Sequence, residues 1–460
     1  MPTLEATIEH AKPAVIPTAP PDQKYFKLFR DYTDKEALLK EVRSAFLDGI
    51  EAFGGAECRR RVEDAGLEYL HLHYPAEYVN LLEAFVDHRL RRRMIQWSAE
   101  VGRNDIGFTD DFLVQELLVV RVHYPHSFIG KRPSLEIKPR LSHRVRYGLA
   151  SHIERFKEAY DSKTSWRLPF QMLEYLRERR KRAALPLPYR CHAPHLDSWL
   201  GQPITSLSVW LAIAGVDVDN SMCMYPDIIG TRLPVSGSRF LGNGVCLPKP
   251  MRPDIRDGDL FVFSTEILHS SQVNVSDKTR IALTTRIDSG RPVVFSKESL
   301  WFVERWYSAK GILSEGRWRR KRIRGVENSI DRPGTVTARP CHQTVKIRSS
   351  FNVKGVYDVA PSDSIREGEK LVAEFENNQR ILIMRTREGL KAFTARCPHA
   401  GYRMDEGYSD DCVLTCPGHG LEFSLENGQS RLNRYRLAMY KVSEVRGRIY
   451  LGDVSSPASA

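Results

Sequence analysis

The chain reads as an α+β protein with a mainly β core: a helical first part wrapping a jelly roll, then a small all-β domain. Three observations predict this. Up to about residue 184 the apolar residues recur at three- and four-residue spacing. Beyond it they fall into short β-branched and aromatic runs separated by Gly, Pro, Asp and Asn. A Pro-, Gly- and Thr-bearing stretch without periodicity then sets off residues 346–455. At 460 residues the chain is long enough for two or three domains, each with its own core.

Residues 1–22 are rich in Ala and Pro and end in Ala19-Pro20-Pro21-Asp22, which predicts a tail. From Tyr25 to about Glu100, Leu38, Val42 and Phe46, then Tyr78, Leu82 and Phe85, mark helical faces. Residues 151–184 predict a helix pair (His152, Phe156, Tyr160; Met172, Leu173, Leu176), which Pro186 and Pro188 end. Ile204–Ala214, Gly258–Phe263 and Arg280–Ile287 predict strands. A strand-rich region wrapped by helices fits a jelly roll, so 23–324 is expected to be one domain, helical over 23–184 with its core at about 185–300. Residues 325–345 (Arg332-Pro333-Gly334, Arg339-Pro340) are expected to be the linker. No internal repeat is seen.

Within the last domain, Cys397-Pro398-His399 is followed by Cys416-Pro417-Gly418-His419. Each half places one thiolate and one imidazole on a tight loop. Zinc modules with two cysteines and two histidines normally use CxxC and HxxxH halves instead. Together with Gly420, Phe423, Gly428 and the closing run Tyr440-Lys441-Val442 to Gly447-Arg448-Ile449-Tyr450-Leu451, the pattern resembles the Rieske ferredoxin family. The resemblance implies a [2Fe–2S] cluster held by Cys397, His399, Cys416 and His419. Two imidazoles on one iron raise the potential above that of an all-cysteine cluster, which suits a one-electron relay. Cys412, between the two loops, is expected to be a small packing residue.

A second constellation lies in the larger domain: His195-Leu196-Asp197 and, later, His269. Read as a strand, His195 and Asp197 point the same way. A histidine from a facing strand would complete the two-histidine, one-carboxylate triad of non-haem Fe(II) oxygenases. Gly258-Asp259-Leu260-Phe261-Val262-Phe263, Leu268-His269-Ser270-Ser271, Asn274, Ser276 and Arg280, with Val209–Ile213, Asn220 and Tyr225-Pro226 before them, resemble the phytanoyl-CoA dioxygenase family of Fe(II)- and 2-oxoglutarate-dependent oxygenases. The resemblance spans roughly 185–290 and implies that Arg280, eleven residues after His269, binds the far carboxylate of 2-oxoglutarate. Arginine suits that role because its planar fork grips a carboxylate with two parallel hydrogen bonds. Asp227-Ile228 and Ala282 depart from the family's turn and from its small hydroxyl residue. His192 is expected to turn away from the metal, His123 and His126 to be structural, and Trp199 and Trp210 to be core aromatics, Trp199 bordering the pocket.

The net charge of +12 is uneven: residues 346–460 carry 17 basic and 15 acidic side chains, so the excess sits earlier, in clusters such as Arg59–Arg61, Arg91–Arg93, Arg177–Arg182 and Arg317–Arg324. No nucleic-acid motif accompanies these clusters, which read as solvated helical faces; an anionic substrate or an acidic redox partner fits the same bias. No apolar run of about 18 residues is present, so no membrane span is expected. Eight cysteines, two of them in the ligand motif, argue for a reducing compartment, and a soluble cytoplasmic protein is expected.

The expected function is an Fe(II)- and 2-oxoglutarate-dependent dioxygenase that uses O2 to hydroxylate or desaturate a C–H bond of a small polar metabolite, anionic or carrier-linked. The fused cluster would pass electrons to the mononuclear iron, supplied by a ferredoxin or reductase, and a homo-oligomer is compatible. The alternatives are an oxygenase fed by an NADH reductase without 2-oxoglutarate, and an electron carrier fused to a binding domain.

Overall fold

In the computed structural model, residues 26–30, 35–147, 187–292 (apart from 201, 232, 237–239 and 291), 306–316, 318, 320–321, 342–347, 352–353 and 355–452 are described. The expected tail at 1–22, the helix pair at 151–184, Arg177–Arg182 and most of the linker lie outside them.

The described chain opens with a strand, β1 (Phe26–Phe29), at a position where helix was expected. Its four residues pair with the edge of a sheet, a tertiary contact that overrides local spacing. Helix α1 (Lys35–Ala65) is broken at Gly55, whose φ of 83° and ψ of 171° suit glycine, and α2 (Val79–Val101) packs against it. Arg59–Arg61 pair with Glu57, Asp48 and Glu51, and Arg93 pairs with Glu41 and Glu100, as expected of solvated helix faces.

Strands β2 (Leu113–Gln115), β3 (Val119–His123), β4 (Ser206–Ala214), β5 (Met222–Tyr225), β6 (Leu260–Ser264), β7 (Leu268–Ser271), β8 (Arg280–Asp288), β9 (Trp306–Ser308) and β10 (Arg320–Lys321) follow, with a short helix α3 (Ala309–Leu313) after β9. An eight-stranded sheet runs β1-β6-β4-β8-β2-β9-β10, with β3 also pairing β8; β5 and β7 form a separate pair. The strands predicted at 204–214, 258–263 and 280–287 are therefore β4, β6 and β8.

Period-2 alternation assigns their faces. Leu207, Val209, Leu211 and Ile213 of β4, Leu260 and Val262 of β6, and Ile281, Leu283 and Ile287 of β8 join the helices in one core. Trp210 and Ala212, Phe261 and Phe263, and Ala282 share a second core with Met222 and Met224 of β5. Both faces of the sheet are buried, so these strands read as continuous apolar runs.

The C-terminal part comprises β11 (His342–Ile347), β12 (Asn352–Val353), β13 (Val356–Pro361), β14 (Lys370–Phe375), β15 (Arg380–Thr386), β16 (Gly389–Thr394), β17 (Val413–Thr415), β18 (Glu422–Ser424), β19 (Val442–Val445) and β20 (Arg448–Leu451). They form sheets β11-β14-β15-β16 and β12-β13-β20-β19 and the hairpin β17-β18. Residues 342–345, read as linker, instead extend β11, which pairs in parallel with β14. Pairing across that edge, invisible to composition, gives Pro- and Gly-flanked residues their order.

Candidate functional site

The first centre lies between the eight-stranded sheet and the β5–β7 pair. His195 and His269 form a β-bridge, each backbone N–H donating to the other's carbonyl, at 2.9 and 3.1 Å. His195 is thus extended as expected, but Asp197 is not in a strand: it opens a 3-10 turn, Asp197–Leu200. The turn, rather than strand alternation, aims its carboxylate back at the histidines. Ligand atoms of His195, Asp197 and His269 all lie within 4.8 Å of one another, and His195 and Asp197 are buried.

The tautomers are fixed by the backbone. His195 Nδ1 lies 2.7 Å from the Ala193 carbonyl and His269 Nδ1 lies 2.9 Å from that of Ile267. A carbonyl can only accept, so both Nδ1 atoms carry the proton and both Nε2 lone pairs are available to a metal. Burial pushes the His195 imidazole down to about 4, keeping it neutral. Burial alone would raise the Asp197 carboxyl, but Arg286 at 3.1 Å, the two imidazoles and the Ser208 hydroxyl at 2.7 Å hold it well below the usual range. Ser208 and Arg286 engage Oδ2, and Oδ1 lies 3.8 Å from His195 Nε2. The donor set therefore fits a divalent metal: two imidazole nitrogens and one ionised carboxylate oxygen.

Arg280 opens β8 on the same face as Arg286. Its Nη1 donates to the carbonyls of Asn220 and Ser221 at 2.9 and 2.6 Å, while Nε is buried without a partner. No carboxylate pairs with it among the described residues, and burial lowers its pKa to about 10. Trp210 lies under it, the guanidinium 5.9 Å from the ring centroid. His192 sits beside the triad, its ring centroid 5.8 Å from that of His195, but is not part of the converging group. His123 is buried opposite Arg280 in the β3–β8 register. Trp199 is partly buried in the core of the β5 and β7 strands.

The second centre is built from two loops of one design. In each, the cysteine N–H donates five residues ahead, Cys397 to Tyr402 and Cys416 to Leu421, and its carbonyl accepts from a glycine, Gly401 and Gly420. The loops bring the rings of His399 and His419 to 5.2 Å between centroids. A hydrogen bond from Cys416 and the backbone N–H groups of His399 and Ala400 lower the Cys397 thiol. Burial pushes His399 down to about 4 and His419 to about 3. Both Nδ1 atoms are buried with no hydrogen-bond partner, which protein interiors tolerate poorly unless something else binds them. Two adjacent thiols and two such imidazole nitrogens fit a [2Fe–2S] cluster. Cys412, expected to pack, is exposed, because the Asp410 carboxylate accepts from its N–H and holds it on a surface turn. Cys246 is disulfide-bonded, so the cysteines are not all thiols or ligands as the expected reducing setting suggested.

The two centres face each other across a continuous interface. Val273 donates to the carbonyl of His419 at 3.1 Å, and the His419 ring is also engaged by the backbone of Cys191. Arg252 donates to the Gly420 carbonyl and pairs with Glu422, both at 2.8 Å. Gly420 has φ +68°, and a Cβ there would stand 2.4 Å from Cys223 Sγ, so only glycine lets the loop press on β5. His126, expected to be structural, meets His399 edge-on at 4.9 Å between centroids and bonds the Tyr435 hydroxyl at 2.8 Å. Sequence spacing carries no signal for His126, Val273 or Arg252. Ser208 and Arg286 could have been found by following strand alternation from Trp210 along β4 and from Arg280 along β8.

Residues 355–441 match the family described as Rieske [2Fe-2S] domain. The ferredoxin component of the alkene monooxygenase system of Xanthobacter autotrophicus is 27% identical over 103 residues, 22% of this chain and 83% of that protein. Among solved structures, a chain of the complex of reduced oxygenase and oxidized ferredoxin in carbazole 1,9a-dioxygenase is 19% identical, covering 22% of this chain and 95% of its own, with a TM-score of 0.21. The ferredoxin of Sphingomonas yanoikuyae B1 is 18% identical, covering 21% and 95%, with a TM-score of 0.20. The matched residues hold all four candidate ligands on the paired loops, and the C-terminal part of this chain is a Rieske [2Fe–2S] domain.

Proposed function

We propose that the chain is an Fe(II)- and 2-oxoglutarate-dependent oxygenase of the phytanoyl-CoA dioxygenase type, whose Rieske domain supplies electrons to the mononuclear iron. The observation that carries this reading is the convergence of His195, Asp197 and His269 with both histidine tautomers fixed for metal binding. The opposed eight-stranded sheet and β5–β7 pair support a jelly-roll core around that site.

Bound there, Fe(II) with 2-oxoglutarate and O2 would supply an oxidant for an unactivated C–H bond, leaving succinate and CO2. His195, Asp197 and His269 would hold the metal on one side, leaving positions open for co-substrate. Arg280, buried and without a carboxylate partner among the described residues, would take the far carboxylate of 2-oxoglutarate. Arg286 and Ser208 keep Asp197 ionised and oriented. The substrate remains a small polar metabolite, hydroxylated or desaturated.

A second reading, an oxygenase fed by an NADH reductase without a keto acid, is favoured by the Rieske domain and by a relative that is a ferredoxin component of a monooxygenase system. Anaerobic titration with 2-oxoglutarate of an Fe(II)-loaded variant lacking the cluster separates the two. A saturable charge-transfer band that disappears in Arg280→Ala supports the keto-acid enzyme; bound Fe(II) without a band favours the second reading.

A further inference from the structure

Resting on the reading that the triad holds iron, we propose that the electron reaches it within one chain, through the Val273 N–H···O=C His419 hydrogen bond and the segment Ser270–Val273 that runs back to His269. A fused relay could equally serve a neighbouring subunit. The geometry points to its own.

The His419 carbonyl accepts from Val273 at 3.1 Å, and both residues are buried, Val273 fully. Val273 lies two residues beyond the end of β7, which carries His269. The other ligand strand is tied to the same place. Ser271 donates to the His192 carbonyl at 2.9 Å, the Cys191 thiol donates to the Gln272 carbonyl at 3.5 Å, and the Cys191 backbone engages the His419 ring. Cys191 leads through His192 to His195. Each triad histidine thus lies four residues along the backbone from a residue hydrogen-bonded to His419, His269 from Val273 and His195 from Cys191.

The contact is held from three sides. Arg252 clamps the Gly420 carbonyl and Glu422, Gly420 abuts Cys223 of β5, and Val275 packs into the core around Cys397 and Cys416. His126 covers His399, and its own N–H donates to the Asn274 carbonyl at 2.9 Å. Val273, Cys223 and His419 are buried in this seam, which a docking surface that opens and closes would not require.

The step is a one-electron transfer: the reduced cluster returns to its oxidised form as ferric iron at the triad becomes ferrous. No bond is made or broken. The cluster is reduced by an external one-electron donor of the ferredoxin or flavoprotein-reductase class.

The test uses two full-length variants, Cys416→Ser, which retains the triad, and His269→Ala, which retains the cluster, alone, mixed and co-expressed. The readout is anaerobic loss of the reduced-cluster EPR and optical signals when triad iron starts ferric. Wild type is expected to show a first-order phase independent of protein concentration, and every combination of the two variants is expected to lose it. Recovery of that phase in the co-expressed pair would mean transfer between subunits and overturns the proposal. In Val273→Pro, which removes the donating N–H, the phase should slow with both metals retained; an unchanged rate overturns the conduit. Should Cys416→Ser not fold, spin relaxation of the reduced wild-type cluster decides, since added Fe(II) must speed it at high dilution and unchanged relaxation rejects a close intrachain pair. Wild type that binds no iron beyond its cluster would instead sink the oxygenase reading, a failure that iron stoichiometry distinguishes.

Discussion

At the scale of single residues, Asp197 is one carboxylate divided between two tasks. Ser208 and Arg286 occupy Oδ2, so that Oδ1 is left toward the histidines. Outer partners of this kind typically change metal affinity by roughly 10–100-fold. Ser208→Ala is therefore expected to weaken Fe(II) binding within that range without unfolding the protein, measured by competition with a chelator. Arg280 is a buried cation whose Nη1 donates to two backbone carbonyls. Hydrogen bonds to charged groups contribute about 1.5–3 kcal/mol, so Arg280→Ala should weaken 2-oxoglutarate by about ten- to a hundredfold in the charge-transfer titration. Arg280→Lys should recover little of this, because a lysine ammonium lacks the planar fork.

At the scale of elements, the 3-10 segment Leu67–Leu72 is stitched to the entry of β8. His71 Nδ1 and the His71 N–H both meet the Thr279 hydroxyl, at 2.9 and 3.2 Å, one residue before Arg280. Burial lowers the His71 imidazole from 6.5 to about 4. The folded value is depressed, so the unfolded chain takes up the proton first, and stability present above about pH 6.5 is lost as pH falls toward 4. The loss from this group should be about 2 kcal/mol between pH 7 and pH 5, and His71→Gln should remove that increment from denaturant midpoints at the two pH values. The Cys416–Gly420 loop is a second such element. Gly420→Ala must place a Cβ 2.4 Å from Cys223 Sγ at φ +68°. A cost on the order of 1–3 kcal/mol is expected in thermal melts, with a shifted Rieske EPR spectrum. An unchanged spectrum would show that the loop does not need its close seat on β5.

At the scale of the whole molecule, the two parts meet at buried residues, Val273 and His419 among them. Two ion pairs across it should differ in worth. Arg431 meets Asp219 at 2.7 and 3.0 Å but is 46% exposed, and such pairs contribute about 0–1 kcal/mol. Arg252 is 16% exposed and holds both the Gly420 carbonyl and Glu422. Arg252→Ala should cost roughly 1–3 kcal/mol and speed proteolytic separation of the two parts, whereas Arg431→Ala should do neither. Equal effects would mean that the seam is held by shape rather than by Arg252. Among the described residues no helix is long and apolar enough to cross a membrane.

The sequence by itself determined the two Cys–His loops and the long strands, and it named His195, Asp197 and His269 as a candidate group. The two Cys–His loops are local, each closed by bonds within five residues, so spacing encodes them completely. The β4, β6 and β8 runs are apolar on both faces because the sheet is buried on both, and composition records that directly. Tertiary structure alone decided the rest. Asp197 reaches the histidines through a turn, β1 and residues 342–345 become strands by pairing with distant edges, and Cys412 is exposed because Asp410 caps its turn. His126, Val273 and Arg252 acquire their places only when the two parts meet. Such contacts join residues more than a hundred positions apart, and no local pattern of hydrophobicity or spacing carries their energy.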